Sequence, residues 1–100
     1  GRFTVSTYDI GDRRKLTCEV RDEAGDLVDP TGLTFTMKDP AGTLTSYDLA
    51  DVQLVHDSTG KYHVYWDCTT SGKYFWRFAA TGNVAAAEES SFSVRASKVI

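Results

Sequence analysis

The sequence predicts an all-β fold, an antiparallel β-sandwich of about seven or eight strands. The strongest evidence is a segment with an aromatic ring at every second position, Tyr74, Trp76 and Phe78. A second alternating run that carries aromatics, residues 61–67, comes just before it. Alternation with a period of two is typical of a strand that buries one face. Turn-forming groups of Gly, Asp, Ser and Pro recur between such runs, at the spacing expected for an all-β sandwich.

Shorter alternating runs between the turns supply the other strands. In chain order, the predicted strands are residues 3–8 at a sheet edge, 14–21, 33–38, 44–48 (weakly patterned), 52–56, 61–67, 73–80 and 90–96. Strand periodicity points one set of side chains inward. The predicted core comprises Cys18, Phe35, Trp66, Tyr74, Trp76 and Phe92, and Leu33, Met37 and Val94 also face inward. Leu16 and Val20 share a face with Cys18, and Val52 and Leu54 lie on one side of their strand. Residues 84–89 are too short a run for a stable helix, so we expect a hairpin connection or a bulged strand start there.

Length and composition indicate a single domain that spans residues 1–100. The hydrophobic fraction of 41% is enough for one core without metals or disulfides. The net charge of −3 argues against nucleic-acid binding, which needs a basic surface. No apolar run approaches the length of a membrane span, so we expect no membrane partner.

The two cysteines, Cys18 and Cys68, raise the question of a disulfide. Cys18 lies in the middle of the second predicted strand, and Cys68 follows the sixth. We interpret them as two reduced, largely buried thiols that act as small apolar residues. The reason is that a disulfide demands Cα atoms within about 7 Å of each other. A bridge between neighbouring strands stays open as the alternative.

No group of side chains predicts catalysis or metal binding. His56-Asp57-Ser58 contains the residue types of a hydrolase triad, but adjacent residues do not converge in space. The four carboxylates of residues 22–29 lack the spacing of a helix–loop–helix calcium site, and we interpret this segment as a solvated hairpin loop. No metal-type Cys/His spacing and no glycine-rich phosphate loop occurs. We therefore expect a protein that is not an enzyme, with no catalytic residue and no cofactor.

Outward-facing aromatics are the best candidates for an interaction surface. Strand parity places Lys61, His63, Tyr65 and Asp67 on one outer face, and Lys73, Phe75 and Arg77 on the outside of their own strand, beside Thr34, Thr36, Ser93 and Arg95. Aromatic residues and Arg are enriched in protein interfaces. The candidate interface residues are therefore Tyr65, Phe75 and Arg77, although single exposed apolar residues are also normal on protein surfaces.

The segment around Tyr74 resembles the tyrosine corner of immunoglobulin domains, which lies two residues before the second disulfide cysteine. By this resemblance Trp76 stands at that cysteine position and Cys18 at the first one. Phe35 or Met37 takes the place of the buried Trp of antibody-type domains. Over nearly its full length the chain resembles the small immunoglobulin-like proteins of tailed bacteriophages and prophages. The segments that carry this resemblance are residues 8–12, 34–42, 58–62, 72–77 and 88–95.

The resemblance implies an immunoglobulin-like virion structural protein. Such a protein decorates or stabilises a capsid, or serves as an accessory of the head, neck or tail, in a particle assembled in the host cytoplasm. Its expected partners are other virion proteins, self-association on the particle is left open, and Lys98-Val99-Ile100 is a candidate anchor. The alternative is a bacterial surface adhesion or carbohydrate-binding module. A detached accessory domain of a larger enzyme is a weaker option.

Overall fold

The computed structural model describes residues 2–10 and 13–94, and all regular structure in these ranges is β-strand. The strands are β1 (Arg2–Ile10), β2 (Arg13–Arg21), β3 (Gly32–Lys38), β4 (Leu44–Asp48), β5 (Val55–Ser58), β6 (Lys61–Asp67), β7 (Gly72–Thr81) and β8 (Ala86–Val94). They form two antiparallel sheets, a first sheet in the order β1–β2–β6–β5 and a second sheet in the order β4–β3–β7–β8. The predicted all-β class is confirmed.

The core lies between the two sheets, because every second side chain of the central strands points into it. The Phe35 ring occupies its middle, with its centroid 5.1 Å from that of Phe78 in the same sheet and 6.2 Å from that of Trp66 in the first sheet. Six residues were predicted to form the centre of the core, five aromatics and Cys18. Five of the six are buried, and the sixth, Trp66, is partly buried and packs against them. The buried cluster consists of Leu16, Cys18, Val20, Leu33, Phe35, Met37, Leu54, Tyr62, Val64, Tyr74, Trp76, Phe78, Ala80, Val84 and Phe92.

The fifth strand is displaced from its predicted position. Residues 52–56 were expected to form it, but β5 spans Val55–Ser58, and the Val52 side chain is 87% exposed in a turn. Asp48 and Asp51 cause this turn, because their carboxylates accept hydrogen bonds from the N–H groups of Ala50 and Asp48, respectively. Local bonds of this kind compete with a sheet ladder. Leu54 is buried whereas Val52 is exposed, so the two residues do not share one side of a strand as predicted.

The last strand begins earlier than predicted. β8 starts at Ala86, four residues before the expected start at residue 90, and it pairs with β7 without a register shift. Residues 84–89 therefore lead into and form the start of a strand, and they contain no helix. Arg95, residue 96 and the candidate anchor Lys98-Val99-Ile100 lie outside the described residues.

His63 was expected to face solvent, but the structure buries it to 8% exposure. The reason is a bulge in β5: Asp57 is the extra residue between His56 and Ser58 in the pairing with β6. Bulges redirect side chains, and both oxygens of the Asp57 carboxylate lie 2.7–2.8 Å from His63 Nδ1. The alternation of side chains along β6 therefore placed His63 correctly on the outer face of the sheet. His63 is nevertheless buried, because the bulged edge strand β5 covers its side chain.

Candidate binding face

The outer face of the second sheet carries an apolar side chain surrounded by cations. Antiparallel pairing places Phe75 of β7 opposite Lys38 of β3, and Lys38 in turn opposite Leu44 of β4. Arg77 follows Phe75 on the same side of β7 and pairs with Glu89 of β8. We define the Phe75 face as Lys38, Leu44, Lys73, Phe75, Arg77 and Glu89.

The two apolar members of this face are open to solvent. Phe75 is 48% exposed and Leu44 is 67% exposed. A shallow depression of about 230 Å³ lies between them, and it is also lined by Thr36, Lys38, Trp76, Arg77 and Glu89. The Lys73 ammonium lies 5.3 Å from the centroid of the Phe75 ring, in a cation–π contact. An exposed aromatic with adjacent cations is the composition typical of protein interfaces.

The cations of the Phe75 face form no ion pair within the described part of the chain. In residues 13–94 no carboxylate lies within ion-pairing distance of Lys38, Lys73 or Arg77. Glu89 is opposite Arg77 in the register but does not form an ion pair with it. In a chain with a net charge of −3, this face concentrates positive charge.

Tyr65, the third predicted interface residue, lies on the opposite side of the sandwich, on the outer face of the first sheet. Its ring already has partners: the Arg13 guanidinium carbon is 5.4 Å from its centroid, and the His63 ring packs edge-on at 4.9 Å. Arg13 is also paired with Asp67 at 2.8 Å, and this hydrogen bond and charge raise the pKa of Arg13. The structure therefore brings Phe75 and Arg77 together and separates Tyr65 from both.

Sequence reasoning missed Lys38 and Leu44 as members of the same surface. Parity placed Lys38 outward, but the weakly patterned fourth strand gave no sign that Leu44 would lie beside it. The missing information was the register between β3, β4 and β7, which no local pattern contains.

Asp29 connects the loop after β2 to the turn between β5 and β6. Its Oδ1 accepts a hydrogen bond from the Gly60 N–H at 2.7 Å and another from the Tyr62 hydroxyl at 3.2 Å, and it lies 2.9 Å from His56 Nε2. The Gly60 N–H is the main cause that lowers the pKa of Asp29, and His56 and Tyr62 act in the same direction. Burial, together with the Asp29 carboxylate, raises the pKa of Tyr62 to about 12.

Replacing Asp29 with asparagine is expected to lower the free energy of unfolding by about 1 kcal/mol near pH 7, because a charged acceptor becomes a neutral one. The folded-state pKa of Asp29 is depressed, so its stabilising contribution is complete above the unfolded pKa and is lost as the pH falls through the folded value. The difference between wild type and Asp29→Asn should therefore shrink below about pH 4. Urea denaturation of both proteins at neutral and acidic pH measures this difference in the free energy of unfolding.

Asp26→Asn is the matched control, because Asp26 lies in the same loop and its side chain makes no hydrogen bond within the described residues. It should change stability by less than about 0.5 kcal/mol at both pH values. An Asp29→Asn effect that stays the same from pH 7 to pH 3 would contradict the role assigned to the carboxylate charge.

The other chemistry-bearing side chains are already in use. His56 contacts Asp29 and His63 contacts Asp57, so the His56-Asp57-Ser58 segment contributes to two separate pairs. Asp22 accepts hydrogen bonds from the N–H groups of Ala24 and Asp26. The turn brings Leu27 opposite Arg21 in an antiparallel bridge, so the predicted hairpin loop is present in a short form before the chain crosses to the second sheet. Within the described residues no group of three His, Cys, Asp or Glu side chains is arranged to hold a metal ion.

Neither cysteine forms a disulfide in the structure, and the two differ in exposure. Cys18 is buried between the sheets, and this burial strongly raises the pKa of its thiol. Cys68 is partly buried and packs at the margin of the core.

The described residues also contain no helix that is long and apolar enough to cross a membrane.

No protein-family model, no curated protein and no solved structure matches the chain.

Proposed function

We propose that this protein is a non-enzymatic, immunoglobulin-like binding module that attaches to a partner protein through the Phe75 face. The observation that carries the proposal is the half-exposed Phe75 ring at the centre of an otherwise regular sheet, with three cations around it that pair with no carboxylate of the described residues. Interfaces obtain most of their energy from a few such aromatic and Arg residues.

Two features support the immunoglobulin-like part of this proposal. If the strands are lettered A, B, C, C′, D, E, F and G from β1 to β8, the sheets have the orders A–B–E–D and C′–C–F–G. Immunoglobulin-type sandwiches use these neighbour relations. In addition, the Tyr74 hydroxyl donates a hydrogen bond of 2.7 Å to the Thr70 carbonyl, four residues upstream, as a tyrosine corner does.

We place this module on the particle of a tailed bacteriophage, as a capsid decoration or stabilisation protein or as a head, neck or tail accessory. The resemblance of the sequence to small immunoglobulin-like phage proteins supports this setting. On a symmetric lattice, contacts between neighbouring copies would link them, and the identical weak contacts of the linked copies would then add up. The partners are then other virion proteins, and the site of assembly is the host cytoplasm.

The chemistry of the described side chains agrees with a binding role. The Cys18 thiol is buried and its pKa is raised, which suppresses the nucleophilic thiolate. Asp29 and Asp57 are each held by hydrogen bonds that organise the β5–β6 edge. These groups stabilise the fold rather than converge on one open site.

The alternative of a surface adhesion or carbohydrate-binding module depends on exposed aromatic platforms. Trp76 is buried, and Trp66 packs partly buried against the core, so neither indole is presented as an open platform for sugar stacking. Phe75 is then the best remaining stacking surface. A glycan array probed with the wild-type protein distinguishes the two functions, since specific glycan hits that disappear with Phe75→Ala would favour the alternative.

Replacing Phe75 with alanine is expected to weaken attachment strongly while leaving the fold intact. Purified particles that lack the chain would be mixed with wild-type or variant protein and sedimented, and the bound fraction would be measured. We expect Phe75→Ala to weaken binding about tenfold or more, as loss of an interface hot spot does. Its free energy of unfolding should change by less than about 0.5 kcal/mol, because the ring lies outside the core.

Tyr65→Ala is the matched control, because it removes an exposed aromatic of similar accessibility from the opposite face. It should bind particles like the wild type. The proposal would be wrong if mass spectrometry found no stoichiometric amount of the chain in native particles, or if Phe75→Ala and wild type attached equally well.

A further inference from the structure

We infer that the partner of the Phe75 face is an acidic protein segment that inserts one apolar side chain between Phe75 and Leu44. This inference rests on the proposed function and specifies the chemistry of the partner. It follows from the size of the depression, from the charges that surround it and from the charge of the rest of the chain.

The depression has the dimensions of a side-chain site. Its volume of about 230 Å³ is below the roughly 300–1,000 Å³ typical of small-molecule pockets. Its apolar walls are Phe75 and Leu44, on strands that are separated by β3. A leucine, methionine or phenylalanine side chain of a partner would cover both walls and remove their apolar surface from water.

The surrounding charges select an acidic partner. Lys38 lies between the two apolar walls in the register, Arg77 is the next outward residue on one side of Phe75, and Lys73 is the next on the other. Like charges held this close on one sheet repel each other, and no described carboxylate pairs with any of them. Carboxylates of a partner would offset this repulsion, and charge complementarity of this kind sets partner choice.

The same features argue against nucleic acid as the occupant. Three cations form a small patch that also contains Glu89, which lines the depression, and the chain as a whole has a net charge of −3. Nucleic-acid binding depends on many phosphate contacts and on a basic footprint larger than this one. A protein segment with a few carboxylates around one apolar side chain fits both the area and the charge of the face.

The test is an unbiased selection from a random peptide library on immobilised wild-type protein. The same selection is run on Phe75→Ala and on the triple variant Lys38→Glu/Lys73→Glu/Arg77→Glu. Peptides that also bind these variants bind elsewhere on the protein and are removed from the wild-type pool. We expect the wild-type pool to be enriched in Asp and Glu beside a single Leu, Met or Phe. Amide shifts in an NMR titration with the best peptide should map to β3, β4 and β7.

Quantitatively, the triple variant should bind the selected peptide about tenfold more weakly or worse, and high salt should weaken wild-type binding about fivefold or more. Lys15→Glu, a single charge reversal on the outer face of the first sheet, is the control for position and should bind like the wild type. Enrichment of neutral or basic peptides, or peptide shifts that map to the first sheet, would overturn the inference. So would preferential binding of a DNA oligonucleotide, or self-association of the chain that the triple variant abolishes.

The variants separate failure of this inference from failure of the proposed function. If Phe75→Ala loses particle binding but the triple charge variant retains it, the face is a docking surface and its partner is not acidic. If neither variant affects attachment to particles, the Phe75 face is not the docking surface, and both proposals are wrong.

Discussion

Replacement of Phe35 with alanine is expected to lower the free energy of unfolding by about 3–5 kcal/mol. Phe35 is fully buried, and its ring contacts Phe78 in its own sheet and Trp66 in the opposite sheet. It also stacks on Tyr47 with the ring planes 9° apart. Deleting the ring leaves a cavity where the two sheets meet, which the surrounding β-structure fills only in part.

A loss of this size is a large part of the total stability of a small domain, about 5–15 kcal/mol. Urea denaturation followed by tryptophan fluorescence should show a much lower midpoint with a similar slope. Thr34→Ala, on the exposed side of the same strand, should cost less than about 1 kcal/mol. Similar losses from the two variants would mean that β3 does not bury Phe35 between two sheets.

Replacement of Gly60 with alanine is expected to cost about 3 kcal/mol or more, because two unfavourable effects add. Gly60 has a φ angle of +71°, in the left-handed region that disfavours residues with a Cβ. A Cβ there would lie 2.7 Å from the Val20 carbonyl oxygen and 2.9 Å from the Val28 nitrogen, and both are backbone atoms. Moving away would break the bonds of Gly60 to Asp29 and to the Val20 N–H.

Gly42→Ala separates these two effects. Gly42 also has a positive φ, +90°, but a Cβ at this position would meet no atom within 4 Å. Only the backbone cost of about 1–2 kcal/mol should remain. Thermal or urea unfolding of both variants gives the comparison, and equal destabilisation would show that the close approach of Gly60 to Val20 and Val28 is not a real constraint.

Local side-chain alternation was sufficient to predict most of the strands and the inward residues. Tyr74, Trp76 and Phe78 point inward because successive side chains of any strand point to opposite faces, a property of the backbone that needs no knowledge of neighbours. The same rule identified Phe75 and Arg77 as outward. It failed at residues 52–56, where Asp48 and Asp51 use their carboxylates to form a turn that parity does not detect.

The candidate site was predictable only in fragments. Phe75 and Arg77 were identified from one strand, but Lys38 and Leu44 join them through the pairing of β7 with β3 and of β3 with β4. Tyr65 satisfied the same parity argument as Phe75 and lies on the other side of the molecule. Parity gives the side of a strand and not the sheet to which the strand belongs.

The sequence alone therefore determined the all-β class, the approximate strands and which side chains of each strand face the core, because these depend on the local geometry of an extended backbone. The tertiary structure decided which strands are neighbours, the burial of His63 under the bulged β5, and the meeting of Phe75, Leu44 and three cations on one surface. Each of these depends on pairing between residues distant in the chain, and a one-residue change of register would move every side chain concerned to the opposite face.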